Sequence, residues 1–268
     1  MKYKKALLSF GLALAGLIGV VYAASSTILL HSLKKAEEQE TRQMVQGVLS
    51  FFSQSEDEFS YRFTDWSAWD DAYTFIKDGN QAYVKANLVP EVLANLNVNL
   101  VLYINSSGRI VYGTGFDLKS KKKTSIPQAL QKYLSLNDIL LHHPNPQSNL
   151  AGIVLLPKGP MIVTSQPIVK STGEGPIRGT LIYGRYLDGS RIQKLIKLNH
   201  EFSLTIHGLN EAKLPPDFQT VRSSLSKKEP ILIRRLSKQT IAGYSLLMDI
   251  YGKPALLFRL DVPRKIYH

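Results

Sequence analysis

Cysteine is absent from the 268-residue chain. That excludes disulfide staples, thiolate metal sites and cysteine nucleophiles, so an exported domain of this sequence has to rest on an ordinary apolar core. Charge is absent from residues 6–30, a run of 25 positions. Tryptophan is scarce, and both copies fall within one eleven-residue run. No glycine-rich phosphate loop, H-E-x-x-H helix or G-x-S-x-G elbow occurs. The six histidines (His31, His142, His143, His200, His207 and His268) are scattered, and only His142-His143 are adjacent, on a proline-rich loop. That is weak metal evidence, so no metal site, cofactor or catalytic residue is assigned. With no recognition-helix or aromatic RNA-binding signature either, nucleic acid is not an expected partner.

What is present begins with the uncharged run. A membrane span needs roughly 20 apolar residues, and Lys2, Lys4 and Lys5 precede this one. Basic residues before a first span favour an inside N-terminus, which puts everything beyond Leu30 outside the cytoplasm. The competing reading is a signal peptide cleaved after Val21-Tyr22-Ala23. Against it, signal cores usually run about 7–15 residues, and this run stays apolar through Ile28-Leu29-Leu30. The expected layout is a cytoplasmic stub (1–5), a single transmembrane helix (6–30) and an extracytoplasmic domain (31–268) on the inner membrane. Charge is uneven: residues 1–115 carry 10 Lys/Arg against 11 Asp/Glu, residues 116–268 carry 23 against 10. A basic exported surface suits anionic headgroups or an anionic ligand, or is simply a solvated face.

From His31 to about Phe63 there is no proline, and Met44, Val48, Phe52, Ser55, Phe59, Phe63 and Trp66 recur at spacings of three and four. This predicts one long helix continuing out of the membrane. A homodimer paired along this rod would bury Val48, Phe52 and Phe59. A shorter helical stretch (about Gln81 to Leu96) precedes strands at Val98–Ile104, Arg109–Tyr112, Gly152–Leu156, Met161–Val169, Gly179–Arg185, Phe202–Ile206, Ile231–Arg235, Ile241–Ile250 and Ala255–Leu260. Residues 116–150 read as a polar insert with one short helix near Ile126–Leu134, and Ser190–Leu198 as an amphipathic helix. The fold class is α+β, a long N-terminal helix followed by a mostly antiparallel sheet with flanking helices.

The run Asp65 to Phe75 sets Asp65, Asp70 and Asp71 among Trp66, Trp69, Tyr73 and Phe75. Acids among rings are costly unless each has a partner, so the run marks either a ligand pocket or a tightly satisfied structural corner. At about 100° per residue in one helix, Trp66, Trp69, Asp70 and Tyr73 share an arc, which makes Asp70 the acid held among rings. Glycoside hydrolysis needs carboxylates facing each other about 5–10 Å apart across a sugar, which neighbours on one rod do not provide. Binding is the better reading than catalysis. Further on, Gly175 to Arg185 reads as a turn into a strand that ends on Arg185, whose partner is Asp70, Asp188 or an anionic ligand.

Together these segments resemble the fourth class of CHASE domains, extracytoplasmic sensory modules of bacterial and archaeal signalling proteins. The matching pieces are Asp65-Trp66, Ala68-Trp69-Asp70-Asp71, Tyr73-x-Phe75, Asn87-Leu88, Ser107-Gly108-Arg109-Ile110-Val111, Pro167-Ile168, Gly175-Pro176, Gly179-x-Leu181-Ile182-x-Gly184-Arg185 and Leu187-Asp188, over roughly residues 50–200. The resemblance implies a sensor rather than an enzyme, with a PAS- or Cache-like fold cupping a small ligand. It also implies a place between two membrane spans, feeding a histidine kinase, diguanylate cyclase or chemoreceptor output. The chain ends at Pro263–His268, about where a second span would begin, so the output is expected from a longer protein or from a partner. The ligand-binding candidates are Trp66, Trp69, Asp70, Tyr73 and Arg185.

Overall fold

The computed structural model describes residues 2–135, 137–187, 202–226 and 228–264. The predicted helix at Ser190–Leu198 and the candidate partner Asp188 lie outside these. Helix α1 (Lys2–Tyr61) runs unbroken from the uncharged segment into the folded domain. It holds an 18-residue window of mean hydropathy 1.7 with none of it buried. Four short helices follow: α2 (Thr64–Ser67), α3 (Asp70–Asp78), α4 (Gln81–Asn87) and α5 (Pro90–Leu96). The stretch expected as one helix over 81–96 is two, because Leu88 and Val89 leave helical geometry and Pro90 restarts it from the first-turn position that proline suits.

Among the described residues, ten strands then form two antiparallel sheets rather than one. The first is ordered β3-β2-β1-β6-β5-β4, the second β7-β10-β9-β8. Their ranges are β1 Leu100–Asn105, β2 Ile110–Asp117, β3 Lys122–Thr124, β4 Leu150–Leu156, β5 Gly159–Ile168, β6 Gly179–Tyr186, β7 Ser203–Gly208, β8 Ile231–Arg235, β9 Thr240–Met248 and β10 Pro254–Pro263. A 3-10 turn (Gln128–Tyr133) stands where the short insert helix was expected, and helix α6 (Pro216–Arg222) was not foreseen. The central strands of the first sheet are covered on both faces, which is why they read as unbroken apolar runs. Val101, Tyr103, Leu181 and Tyr183 face the helices, while Leu100, Leu102, Ile182 and Val163 face the insert.

One stripe of α1 serves both sheets. Near the membrane, Thr41 and Val45 lie against β9 at Gly243. Farther out, Phe52, Phe59 and Phe63 are buried in the core, and the Ser60 and Thr164 hydroxyls meet at 2.9 Å across α1 and β5. This corrects the expected dimer face, since Phe52 and Phe59 are packed inside their own chain at 2 % and 1 % exposure. The sheets are also joined edge to edge. Ile250 N donates to Ile153 O at 2.9 Å, Asn210 Nδ2 to Leu156 O at 3.2 Å, and the β9–β10 turn places Tyr251 on Tyr133 with its hydroxyl on Asp138.

Candidate functional site

The aromatic–acid run is not one helical face. After Tyr61 the chain makes the single turn α2, passes Ala68 and Trp69 in non-helical geometry, and starts α3 at Asp70. Ala68 forms a short parallel bridge to Val169, so this stretch is laid along the end of β5. Three hydrogen bonds fix it there. Ser67 Oγ donates to Gln166 Oε1 at 3.0 Å, Gln166 Nε2 donates to Ser60 O at 2.7 Å, and Val169 N donates to Ser67 O at 3.0 Å. Ser60, Ser67 and Gln166 are all buried, and each has its polar groups satisfied as burial demands.

Asp70 is therefore corrected. It is an exposed residue, not an acid among rings. Its carboxylate accepts from Ser171 N at 3.1 Å and Ser171 Oγ at 2.8 Å, and those bonds hold its pKa below the usual range, with Lys170 adding a little. Tyr73 holds the same β5–β6 connection. Its hydroxyl donates to Pro176 O at 3.2 Å, its ring carries the Arg178 guanidinium at 3.7 Å, and Arg178 Nη1 donates to Tyr73 O at 3.0 Å. Asp70 and Tyr73 thus clamp the 170–178 turn.

Of the partners open to Arg185, Asp70 is excluded. Strand β6 starts beside Ile168 at Gly179, and Arg185 lies opposite Ile162. At about 3.3 Å per residue, Arg185 is some 20 Å down the sheet from that turn, with its guanidinium 4.8 Å from the Phe59 ring.

Between these ends lies a cluster of rings. Trp66 meets Trp69 edge-on at 6.1 Å and Tyr183 at 6.5 Å. Tyr183 stacks on Phe63 at 4.1 Å. Trp69 lies 5.7 Å from Tyr83, which stacks on Phe75 at 4.4 Å. Three tyrosine hydroxyls end in this cluster. Those of Tyr83 and Tyr103 share a hydrogen bond of 2.9 Å, while the buried Tyr183 hydroxyl interacts with that of Tyr103 only at longer than ordinary bonding distance. Burial raises the pKa of all three, so they stay neutral donors. Trp66 and Trp69 are only partly buried and form the open side. Tyr83, Tyr103 and Tyr183 were missed from sequence. Tyr103 and Tyr183 stand in apolar runs, where a tyrosine reads as core, and Tyr83 in a polar helical stretch; their hydroxyls approach one another only after the sheet has formed.

The opposite face of the same sheet has a cavity of about 360 Å³ between β2, the 3-10 turn and the β4–β5 turn, with Asn99, Phe116, Asp117, Lys158 and Tyr186 in its wall. The Lys158 ammonium lies 5.0 Å over the Tyr186 ring.

Residues 51–207 match the CHASE4 domain family. The chain belongs to this family. It is an extracytoplasmic ligand-sensing domain of a signalling protein, carried on a membrane-anchoring helix. Over 270 residues it is 30% identical to the methanogenesis regulatory histidine kinase FilI of Methanothrix harundinacea (strain 6Ac), covering 99% of this chain and 29% of that protein. The chain thus spans under a third of that relative's length. Two solved structures share the fold. A domain of a sensory box/GGDEF family protein from Vibrio parahaemolyticus aligns with a TM-score of 0.54 at 11% identity, covering 87% of this chain and 98% of that one. The extracellular domain of vpHK1S-Z8, described as a histidine kinase, aligns at 0.51 and 14%, covering 87% and 93%. Within the matched residues, the segments Asp65–Phe75 and Gly175–Arg185 lie in one packed unit. Asp70 and Tyr73 hold the 170–178 turn, and Trp66 contacts Tyr183.

Proposed function

We propose that this domain binds a small molecule at the open edge of the ring cluster and passes the event down α1 to a histidine-kinase-type output on the inner membrane. The supporting observation is the Tyr183 hydroxyl. Its only side-chain interaction is the long one to Tyr103; a buried donor left fully unsatisfied costs about 1–3 kcal/mol, and a ligand with an acceptor would remove the part of that cost that the long contact leaves. Trp66 and Trp69 would form the ligand's apolar wall. Asp70 and Tyr73 would act indirectly by holding the 170–178 turn over it, and Arg185 would contribute from the Phe59 end. The packing of α1 on both sheets supports output through it, and a ligand would shift α1 if it bound two arrangements of those sheets differently. The likeness to FilI supports the kinase output. In a homodimer, the membrane helices would supply the contact that Phe52 and Phe59 do not.

Both tryptophans sit at the proposed site, so the test is intrinsic fluorescence and thermal shift of the full chain in nanodiscs against amino acids, amines, organic acids and sugars. A ligand of the folded state raises the melting point by mass action. A hit that quenches or shifts tryptophan emission and is lost in Tyr183→Phe supports the reading. A hit that leaves emission unchanged and is lost instead in Tyr186→Ala places the ligand in the 360 Å³ cavity on the opposite face, which is the second reading.

A further inference from the structure

Below Glu37, between the folded domain and Leu30, α1 presents His31, Lys34 and Lys35 and no acid. At 1.5 Å per residue, Glu37 stands about 10 Å beyond Leu30 and Arg42 about 18 Å. Strand β8 descends along this part of α1. Arg42 Nη1 donates to Ile231 O at 3.3 Å, and four residues on Arg235 Nη2 reaches Glu38 Oε1 at 2.8 Å. The turn 236–239 continues that descent before β9 climbs back.

Arg264 fixes the turn in place. Its backbone N–H donates to Gln239 O at 2.8 Å, and its side chain, seated on Glu37, points Nη1 at Ser237 O and Lys238 O at 3.4 and 3.5 Å. The turn therefore stands near the level of Glu37, about 10 Å beyond Leu30, and the headgroup layer itself is roughly 5–8 Å deep on each side of the hydrocarbon. At the tip, Leu236 is 44% exposed, and Ser237, Lys238 and Gln239 are exposed too. The nearest acids are engaged, Glu37 by Arg264 and Glu38 by Arg235.

We propose that the 236–239 turn is a foot that rests on the outer headgroup layer. Lys238, Lys34 and Lys35 face anionic lipid headgroups, within the ~10 Å over which such attraction operates. Leu236 beds into the outer part of the headgroup layer, as an exposed apolar residue flanked by cations does at an interface. With α1 this gives the domain two contacts with the membrane, so its tilt responds to lipid charge. The inference rests on the membrane-anchored orientation.

The absence of cysteine makes single-site labelling clean. Leu236→Cys, Ser107→Cys (far end of the domain) and Leu17→Cys (membrane span) would each carry an environment-sensitive fluorophore. The full chain is held in nanodiscs of phosphatidylcholine, with or without phosphatidylglycerol, and quenched by headgroup-linked or chain-linked nitroxide lipids. The label at 236 is expected to lose roughly half or more of its emission to the headgroup nitroxide, more so with phosphatidylglycerol. Lys238→Glu should reduce that loss, and the label at 107 should not respond. Quenching at 17 with none at 236 overturns the foot while the anchor stands. No quenching at 17 either overturns the anchored orientation, and the foot with it.

Discussion

Arg264 donates through Nε to both carboxylate oxygens of Glu37, at 3.1 and 3.0 Å, across 227 residues of sequence. Both side chains are nearly buried, at 4 % and 8 % exposure. The pair ties the last described strand to the helix that leaves the membrane. It is a buried contact between the second sheet and α1.

Breaking one partner of a buried pair leaves a lone charge and typically costs about 3–5 kcal/mol, whereas an apolar pair of similar volume is tolerated. Glu37→Gln and Arg264→Leu are each expected to lower the melting temperature by roughly 6–20 °C, taking about 2–4 °C per kcal/mol for a domain of this size. Glu37→Leu combined with Arg264→Met should regain most of the loss. Calorimetry showing single variants within a degree of wild type would mean that α1 and β10 are held together by other contacts.

The clamp on the β5–β6 connection has a local readout. Tyr73→Phe keeps the ring under Arg178 and loses only the hydroxyl bond to Pro176 O. The expected cost is about 1 kcal/mol, and the expected sign is faster tryptic cleavage at Lys170 and Arg178. Ser171→Ala removes one of two bonds to Asp70 and should also speed cleavage there while leaving the melting temperature nearly unchanged. Cleavage rates equal to wild type in both variants would show that the turn is held without them.

Two glycines of the family segment test how tightly β6 is laid in the sheet. A Cβ on Gly179 would run into the backbone carbonyl of Ile104, and one on Gly184 into Met161 Sδ at 2.6 Å and Leu100 Cβ at 3.1 Å. Methionine can move and a strand backbone cannot. Both alanine variants overpack, at about 1–3 kcal/mol, and Gly179→Ala should be the worse by chemical denaturation. The reverse order would mean that β1 yields more readily than the Met161 side chain.

Much of this fold was legible because its strands are buried on both faces. Apolar runs such as Leu100–Ile104 and Leu181–Tyr183 announce themselves, and β8 was located to the residue. The division into two sheets was not legible, since nothing local in Ser203–Gly208 or Pro254–Pro263 says which strand it pairs with. β3 was missed because an edge strand of Lys-Lys-Thr carries no apolar signal. At the site, the run Asp65–Phe75 was found but its geometry was misread. A single helical arc was assumed, whereas Ala68 and Trp69 break the helix to pair with β5. That break turns Asp70 outward to Ser171 and leaves Trp66 and Trp69 with the tyrosines. Spacing along a helix can be read from sequence, but a break imposed by a strand a hundred residues away cannot.

Two half-buried titrating groups should nearly cancel in the pH dependence of stability. Burial, with His142 beside it, pushes the His143 imidazole from 6.5 down to about 4. Ser165 Oγ uses its proton on Leu140 O, so it accepts from His143 Nε2–H at 3.2 Å. The unfolded chain takes up that proton first, so this contribution is intact above pH 6.5 and is lost as pH falls toward 4. Glu56 does the opposite. Burial against the sheet, then Asp57, raises its carboxyl from 4.5 to about 7. The folded state holds that proton more tightly, so this contribution is intact below pH 4.5 and is lost as pH rises toward 7. One proton difference is worth at most about 1.4 kcal/mol per pH unit, and less for Glu56, which solvent partly screens. Wild type should therefore be nearly flat between pH 4.5 and 6.5. His143→Gln should lose stability as pH rises through that window, and Glu56→Gln should gain it. Urea midpoints at half-unit steps would show this as two slopes of opposite sign, and parallel profiles for all three proteins would mean that neither group titrates differently on folding.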